Sequence, residues 1–257
     1  MLSSDLSRAH ETAKAVAARW HAEVRTSPVW RELDVGRWDG LTRPQVVERF
    51  PAEVAALARG EMVPIGGGES WADLETRAND ALDALLGELA DGQRAIVFSH
   101  GGLIASVVRR VLGLSMRKPR RLGNVNNTGV TTIRFDGGTR SLARYNDTLH
   151  LGPLGKWSEE RLKRGCTVVA VHESLPDAYE APERTYSLDE LGGDAARAIA
   201  QLVSEHPGQR VGLVADARAQ HGLVAEILDA REVGAARGVT HLVASERGHT
   251  LAELNCH

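Results

Sequence analysis

The feature that most constrains this chain is the run Arg-Ala-Ile-Val-Phe at residues 94–98, followed by Ser99-His100-Gly101-Gly102 and an apolar segment at 103–112. A short apolar run bounded by turn residues predicts a buried strand, and the segment after it predicts a helix. The three parts make a strand, turn and helix with His100 at the hinge. That hinge is the strand edge at which open α/β sheets bind ligands. Two glycines there let the backbone approach a ligand at the helix N-terminus, where N–H groups and the helix dipole favour an anion. A lone histidine at such a place is as often structural as functional, but Ser-His-Gly-Gly favours function.

The rest of the chain repeats this alternation. Leu6, Ala9, Ala13, Val16, Ala17 and Trp20 fall at helical spacing, with Ser4 or Asp5 as the expected cap. Trp71, Leu74, Ala78, Leu82, Leu85 and Leu89 mark another helix after the turn Gly66-Gly67-Gly68. Residues 130–135 and 141–145, split by Asp136-Gly137-Gly138, predict a hairpin. Beyond it, strands are expected at 167–171 and 210–215, with helices at 188–203 and 223–228. The alternation predicts α/β architecture with a largely parallel sheet.

The polar, Gly-rich stretch 152–165 is the expected linker between a domain at 1–151 and an α/β region at 166–257. All five Trp and all three Phe precede residue 158, which supports a boundary there. Gly-Gln-Arg followed by an apolar strand and helix occurs at both 92–94 and 208–210. This echo aligns in two competing registers, one placing Asp216 opposite His100 and the other opposite Asp5, so generic α/β similarity accounts for it nearly as well.

With 31 basic and 34 acidic residues, global charge gives no reason to expect nucleic acid or an anionic membrane as a partner. Two cysteines, Cys166 and Cys256, are too few for a disulfide framework, and a reducing cytoplasm is expected. Asp5 and Arg8 interrupt the N-terminus where a signal peptide needs an apolar core, and no apolar run is long enough to span a bilayer.

Two further residues stand out. Arg8 follows a helix start, so its guanidinium and the first-turn N–H groups can face one anion, although an isolated Arg there is usually solvated. Glu32 lies in Trp30-Arg-Glu-Leu-Asp-Val-Gly-Arg-Trp38, where aromatic and apolar neighbours can desolvate it and raise its pKa, although by itself it reads as a surface acid in a charged loop. The basic cluster Arg109, Arg110, Arg117, Lys118, Arg120 and Arg121 can steer anionic substrates, although a solvated face is the commoner case. His241, His249, Cys256 and His257 fit no compact metal-ligand spacing, and no metal is expected.

In order along the chain, SSDLSRAHETA, RELDVGRWDGLT, GGGESWADL, VFSHGGLIASVVRRVLGL, NTGVTTIRFDG and YNDTLHL resemble the motifs of the histidine phosphatase superfamily, the phosphoglycerate-mutase-like proteins. The likeness covers about residues 2–151. It implies a three-layer α/β fold with a mostly parallel sheet, and a small phosphorylated substrate handled without metal or organic cofactor. It also implies that Arg8, His100 and Gly101 bind phosphate, with Glu32 and His100 catalytic.

The family's opening Arg-His-Gly, whose His is the nucleophile, has no counterpart, because Arg-His-Gly does not occur in this sequence. Truncation, degeneracy and permutation of the fold each account for this. Under permutation the strand 166–171 ending in His172 replaces the missing one, with His172 as nucleophile, although Val171 and Glu173 stand where Arg and Gly are expected. The reading is therefore a phosphomonoester hydrolase or phosphomutase impaired in this chain, or alternatively an inactive phosphate-binding or protein-interaction module.

Overall fold

A computed structural model describes residues 1–114, 121–176, 179–230, 233, 238–245 and 248–256. Arg117, Lys118 and Arg120 of the basic cluster, and His257, lie outside the described residues. The chain divides into two units, Met1–Val107 and Val108–His257. This division falls earlier in the chain than the linker expected at 152–165.

In the first unit the order is β1 (Leu2–Ser3), α1 (Ser7–Trp20), β2 (Arg25–Thr26), α2 (Arg43–Arg49), α3 (Pro51–Ala58), α4 (Trp71–Glu88), β3 (Val97–Phe98) and α5 (Gly101–Val111), whose last turn crosses the division. The strands form a parallel sheet in the order β2-β1-β3. Ala9, Ala13 and Ala17 of α1 are buried, as the helical stripe predicts, but Trp20 at its end is 59% exposed. Neither expected cap closes α1: Leu6 is the capping residue, and Asp5 pairs with Arg31 instead. α4 begins with a capping box in which Ser70 and Asp73 satisfy each other's backbone N–H groups.

The strand expected at 94–98 is only two residues long. Residues 94–96 are exposed, Ile96 by 39%, and Val97 and Phe98 are half-buried. The physical reason is its place in the sheet: β3 pairs with β1 on one side and is an edge strand among the described residues, whereas a strand buried on both sides needs neighbours.

The second unit contains β4 (Val130–Asp136), β5 (Thr139–Asp147), α6 (Lys156–Lys163), β6 (Thr167–His172), β7 (Arg184–Ser187), α7 (Ala195–Glu205), β8 (Arg210–Val214), α8 (Ala217–Leu228), β9 (Val239–Ser245) and β10 (Gly248–Cys256). Its sheet has the order β4-β5-β10-β9-β6-β8-β7. β6, β8 and β7 are mutually parallel, and the remaining pairs are antiparallel. The protein is thus α/β, but the mostly parallel sheet is confined to the first unit and to one half of the second. The hairpin β4–β5 forms as its Asp-Gly-Gly turn predicts.

All six residues of β6 are buried, which explains its central apolar run Val168–Val171. The expected linker at 152–165 instead holds α6, whose Trp157 packs with Val168, Val243 and Ala252. Burying an apolar side chain of that size contributes about 1.5–3 kcal/mol. That is reason enough for a Gly-flanked segment to fold onto the sheet.

Candidate active site

β1 and β3 run parallel, so their C-terminal ends lie side by side and the helices α1 and α5 start just beyond them. Ser4 follows β1 and is fully buried; its N–H donates to the Phe98 carbonyl at 2.8 Å. His100 follows β3 and is 7% exposed. Its Nε2 lies 2.9 Å from Ser4 Oγ, and its Nδ1 accepts from Arg8 Nε at 3.2 Å. Because a guanidinium only donates, Nδ1 carries the lone pair and Nε2 the proton, which it gives to Ser4 Oγ. That hydroxyl oxygen also accepts from Leu6 N–H at 3.2 Å. Burial, then the Arg8 guanidinium, lowers the His100 pKa below that of an ordinary histidine, against the opposing pull of Glu32. The ring is therefore neutral near pH 7.

Arg8 is exposed on the first turn of α1. With Nε committed to His100, its two terminal nitrogens are the groups available for an oxyanion, which a guanidinium binds in a bidentate fork.

Glu32 follows a short 3-10 helix at Pro28–Trp30 whose buried Trp30 gives its carbonyl to Ser99 Oγ at 2.8 Å. The hinge serine thus pins the acid loop. The Glu32 carboxylate accepts from Leu33 N–H and from Gly102 N–H, each at 2.9 Å. It is half-buried and bound by these two backbone amides. A methyl group on Gly102 would overlap Glu32 Oε1. The second glycine of Ser-His-Gly-Gly therefore makes room for the acid, where a ligand had been expected. Gly101 is the first residue of α5.

Three groups that sequence reasoning missed complete the arrangement. Ser4 sets the His100 tautomer. Arg77, on α4, forms a two-pronged ion pair with Glu69 at 2.7 and 2.8 Å and donates to the carbonyls of Val29, Arg31 and Glu32 at 2.8, 3.0 and 3.3 Å. Glu69, held below the usual carboxylate range chiefly by its hydrogen bond with Arg77, also accepts from Asp34 N–H at 3.0 Å. Arg77 and Glu69 thus grip the acid loop on both sides of Glu32. The available signal was the Glu of GGGES, with Arg77 two helical turns later. Backbone packing of Gly36 against Gly66 and Gly68, too close for a Cβ at any of the three, explains why both segments are Gly-rich.

The first unit therefore brings together Arg8, Glu32, His100 and Gly101. His172, at the end of β6 in the second unit, is 4% exposed, and neither ring nitrogen has a hydrogen-bond partner. Burial, then His241, lowers its pKa. No helix among the described residues is long and apolar enough to cross a membrane.

Comparison with known proteins covers the whole first unit and runs on through β5 of the second. The family model of the histidine phosphatase superfamily (branch 1) matches residues 1–148. Phosphoglycerate mutase-like protein 4 of Arabidopsis thaliana is 34% identical over 157 residues, covering 60% of this chain and 66% of that protein. Glucosyl-3-phosphoglycerate phosphatase of Mycobacterium tuberculosis is 31% identical over 140 residues, covering 52% and 63%. The chain thus spans just under two thirds of the length of these relatives. The mycobacterial glucosyl-3-phosphoglycerate phosphatase solved in complex with inorganic phosphate superimposes with a TM-score of 0.51 at 28% identity, over 57% of this chain and 75% of that one. From the ordered motifs, the strand-edge geometry and a family match over more than half its length, the chain belongs to the histidine phosphatase superfamily.

Proposed function

We propose that the first unit binds the phosphoryl group of a small phosphomonoester against Arg8, His100 and the start of α5 at Gly101, as a hydrolase or phosphomutase of the histidine type. The observation that carries this reading is the Arg8–His100 hydrogen bond at the strand edge, which fixes a guanidinium beside a neutral imidazole. Arg8 neutralises the oxyanion. His100, held at both nitrogens, is positioned rather than free to attack, and stabilises charge as it develops on the transferring group. Glu32, delivered to the helix start by its bond to Gly102, takes a proton from solvent and passes it to the leaving oxygen.

The reaction as this superfamily performs it also needs an attacking histidine, and Arg-His-Gly does not occur in the sequence. We therefore expect phosphate binding with poor turnover, and a cytoplasmic setting in keeping with two cysteines. Calorimetry with inorganic phosphate, p-nitrophenyl phosphate turnover and trapping of acid-labile phosphoenzyme test this together. The expected result is phosphate binding weakened about tenfold or more in Arg8→Ala, from loss of a charge-assisted hydrogen bond, with slow turnover and no phosphoenzyme. A folded chain that fails to bind phosphate would overturn the reading. Stoichiometric phosphoenzyme lost in His172→Ala would instead make His172 the nucleophile and the chain a competent enzyme. Binding with no turnover at all would leave a phosphate-binding module.

A further inference from the structure

We propose that the second unit holds a divalent transition-metal site formed by His172, His241 and Tyr179. It is independent of the phosphate reading, since all three residues lie beyond the matched segment 1–148.

The sheet register brings the two imidazoles together. Ala170 of β6 pairs with His241 of β9 in an antiparallel ladder, so Ala170, His172 and His241 project from one face. His172 and His241 are diagonal neighbours, roughly 7–8 Å apart along the backbone and within reach of long side chains. Tyr179 packs on Ala170 and Val239 in a single apolar cluster, which places its phenol over the residue that separates the two histidines. Its hydroxyl lies 2.6 Å from His241 Nε2.

The chemistry of these groups fits a metal. His172 is buried with two unpartnered nitrogens, and polar atoms left so are costly unless something engages them. His241 Nδ1 is hydrogen-bonded to the Glu253 carboxylate, which directs Nε2 toward Tyr179. A carboxylate behind a histidine in this way is the usual support of a metal-bound imidazole. Glu253 is itself held by Gly155 N–H, which donates to its other oxygen at 2.9 Å. Among the described residues no three His, Cys, Asp or Glu side chains converge on a metal; here the third donor is a phenol.

Binding is balanced. The ion replaces the proton of the Tyr179 hydroxyl, which leaves to solvent, and takes one lone pair from each imidazole and one from the phenolate. Two negative charges, on the phenolate and Glu253, then face the divalent ion. Two nitrogens and one oxygen suit zinc, copper, nickel or cobalt rather than magnesium or calcium.

The test uses the full chain after treatment with a chelator. Calorimetry with Zn²⁺ is expected to show a single tight site that releases a proton, and Cu²⁺ is expected to give a phenolate-to-copper charge-transfer band in the visible. His172→Ala and Tyr179→Phe should each weaken Zn²⁺ binding by more than tenfold, and Tyr179→Phe should abolish the band. Glu253→Gln should weaken binding by about 10- to 100-fold, as expected for loss of a supporting carboxylate. Circular dichroism verifies folding of each variant, and the wild-type band stands without any of them. No Zn²⁺ binding by the folded chain, or binding unchanged in both His172→Ala and Tyr179→Phe, overturns the proposal. A copper complex lacking the band removes Tyr179 from the site and overturns it as stated.

Discussion

His100 and His172 each stand at the C-terminal end of a parallel strand, and each is almost fully buried, yet their surroundings are opposite. His100 is held at both nitrogens, by Arg8 and by Ser4. His172 is held at neither. The first arrangement fixes a tautomer and leaves a guanidinium facing solvent; the second stores two unmet hydrogen-bonding groups inside an apolar face. The lesson is that a histidine at a strand end signals chemistry only through its partners. In the first unit these arrive from the neighbouring strand end and from the first turn of α1. In the second unit the hydroxyl of Tyr179 and the carboxylate of Glu253 both bond to His241, and His172 is left without a hydrogen bond.

The largest effect that would break this contrast is expected from Glu253→Ala. It leaves two buried donors, the His241 ring N–H and the Gly155 N–H, without their acceptor, and each such loss costs about 1–3 kcal/mol. Urea unfolding of the metal-free chain is the measurement; a loss below about 1 kcal/mol, the scale of an exposed pair, would mean that the network is not dry.

Next in size is Gly102→Ala. The new methyl overlaps the Glu32 carboxylate, and overpacking of this kind costs about 1–3 kcal/mol. Residual p-nitrophenyl phosphate turnover should fall with it, while Gly101→Ala, read in the same assay, separates a general effect on the turn from displacement of the acid.

The contrast is sharpened most directly by one substitution made twice. His100→Leu removes the acceptor of Arg8 and the donor to buried Ser4, and should destabilise by about 1–2 kcal/mol. His172→Leu replaces an unpartnered buried polar ring with an apolar side chain and should be neutral or stabilising in the metal-free chain. Thermal unfolding of the two variants is expected to move in opposite directions, and a common direction would remove the distinction.

The smallest effect is the pH dependence. Folding lowers the pKa of both His100 and His172, so the unfolded chain binds their protons more tightly. Stability is complete above the ordinary histidine value of 6.5. It declines as pH falls from there through the lower folded values and then levels off. His172→Leu should make that decline shallower, as read from urea midpoints across the window. A slope unchanged from wild type would place the acid sensitivity elsewhere.

Much of this was legible in local sequence. Periodicity gave α1, α4, the hairpin and the buried strand β6, because helix and strand faces repeat every 3.6 and 2 residues regardless of what they pack against. Ser-His-Gly-Gly and the two Gly-rich segments were also readable, since only glycine tolerates backbone approach as close as that between Gly36 and Gly66. Where local reasoning failed, a distant partner decided. Ile96 looked like core, but β3 is an edge strand. The segment 152–165 looked like a linker, but Trp157 found Val168 and Ala252 to pack against.

The sequence by itself thus determined the α/β class, the hinge at His100 and the residue types of the site. Tertiary structure alone decided which nitrogen of His100 carries the proton, through a serine 96 positions away. It also placed Arg77 on the carbonyls of the acid loop more than 40 positions away. The reason is physical: spacing along the chain encodes which face a side chain takes, whereas strand order and register decide what that face meets.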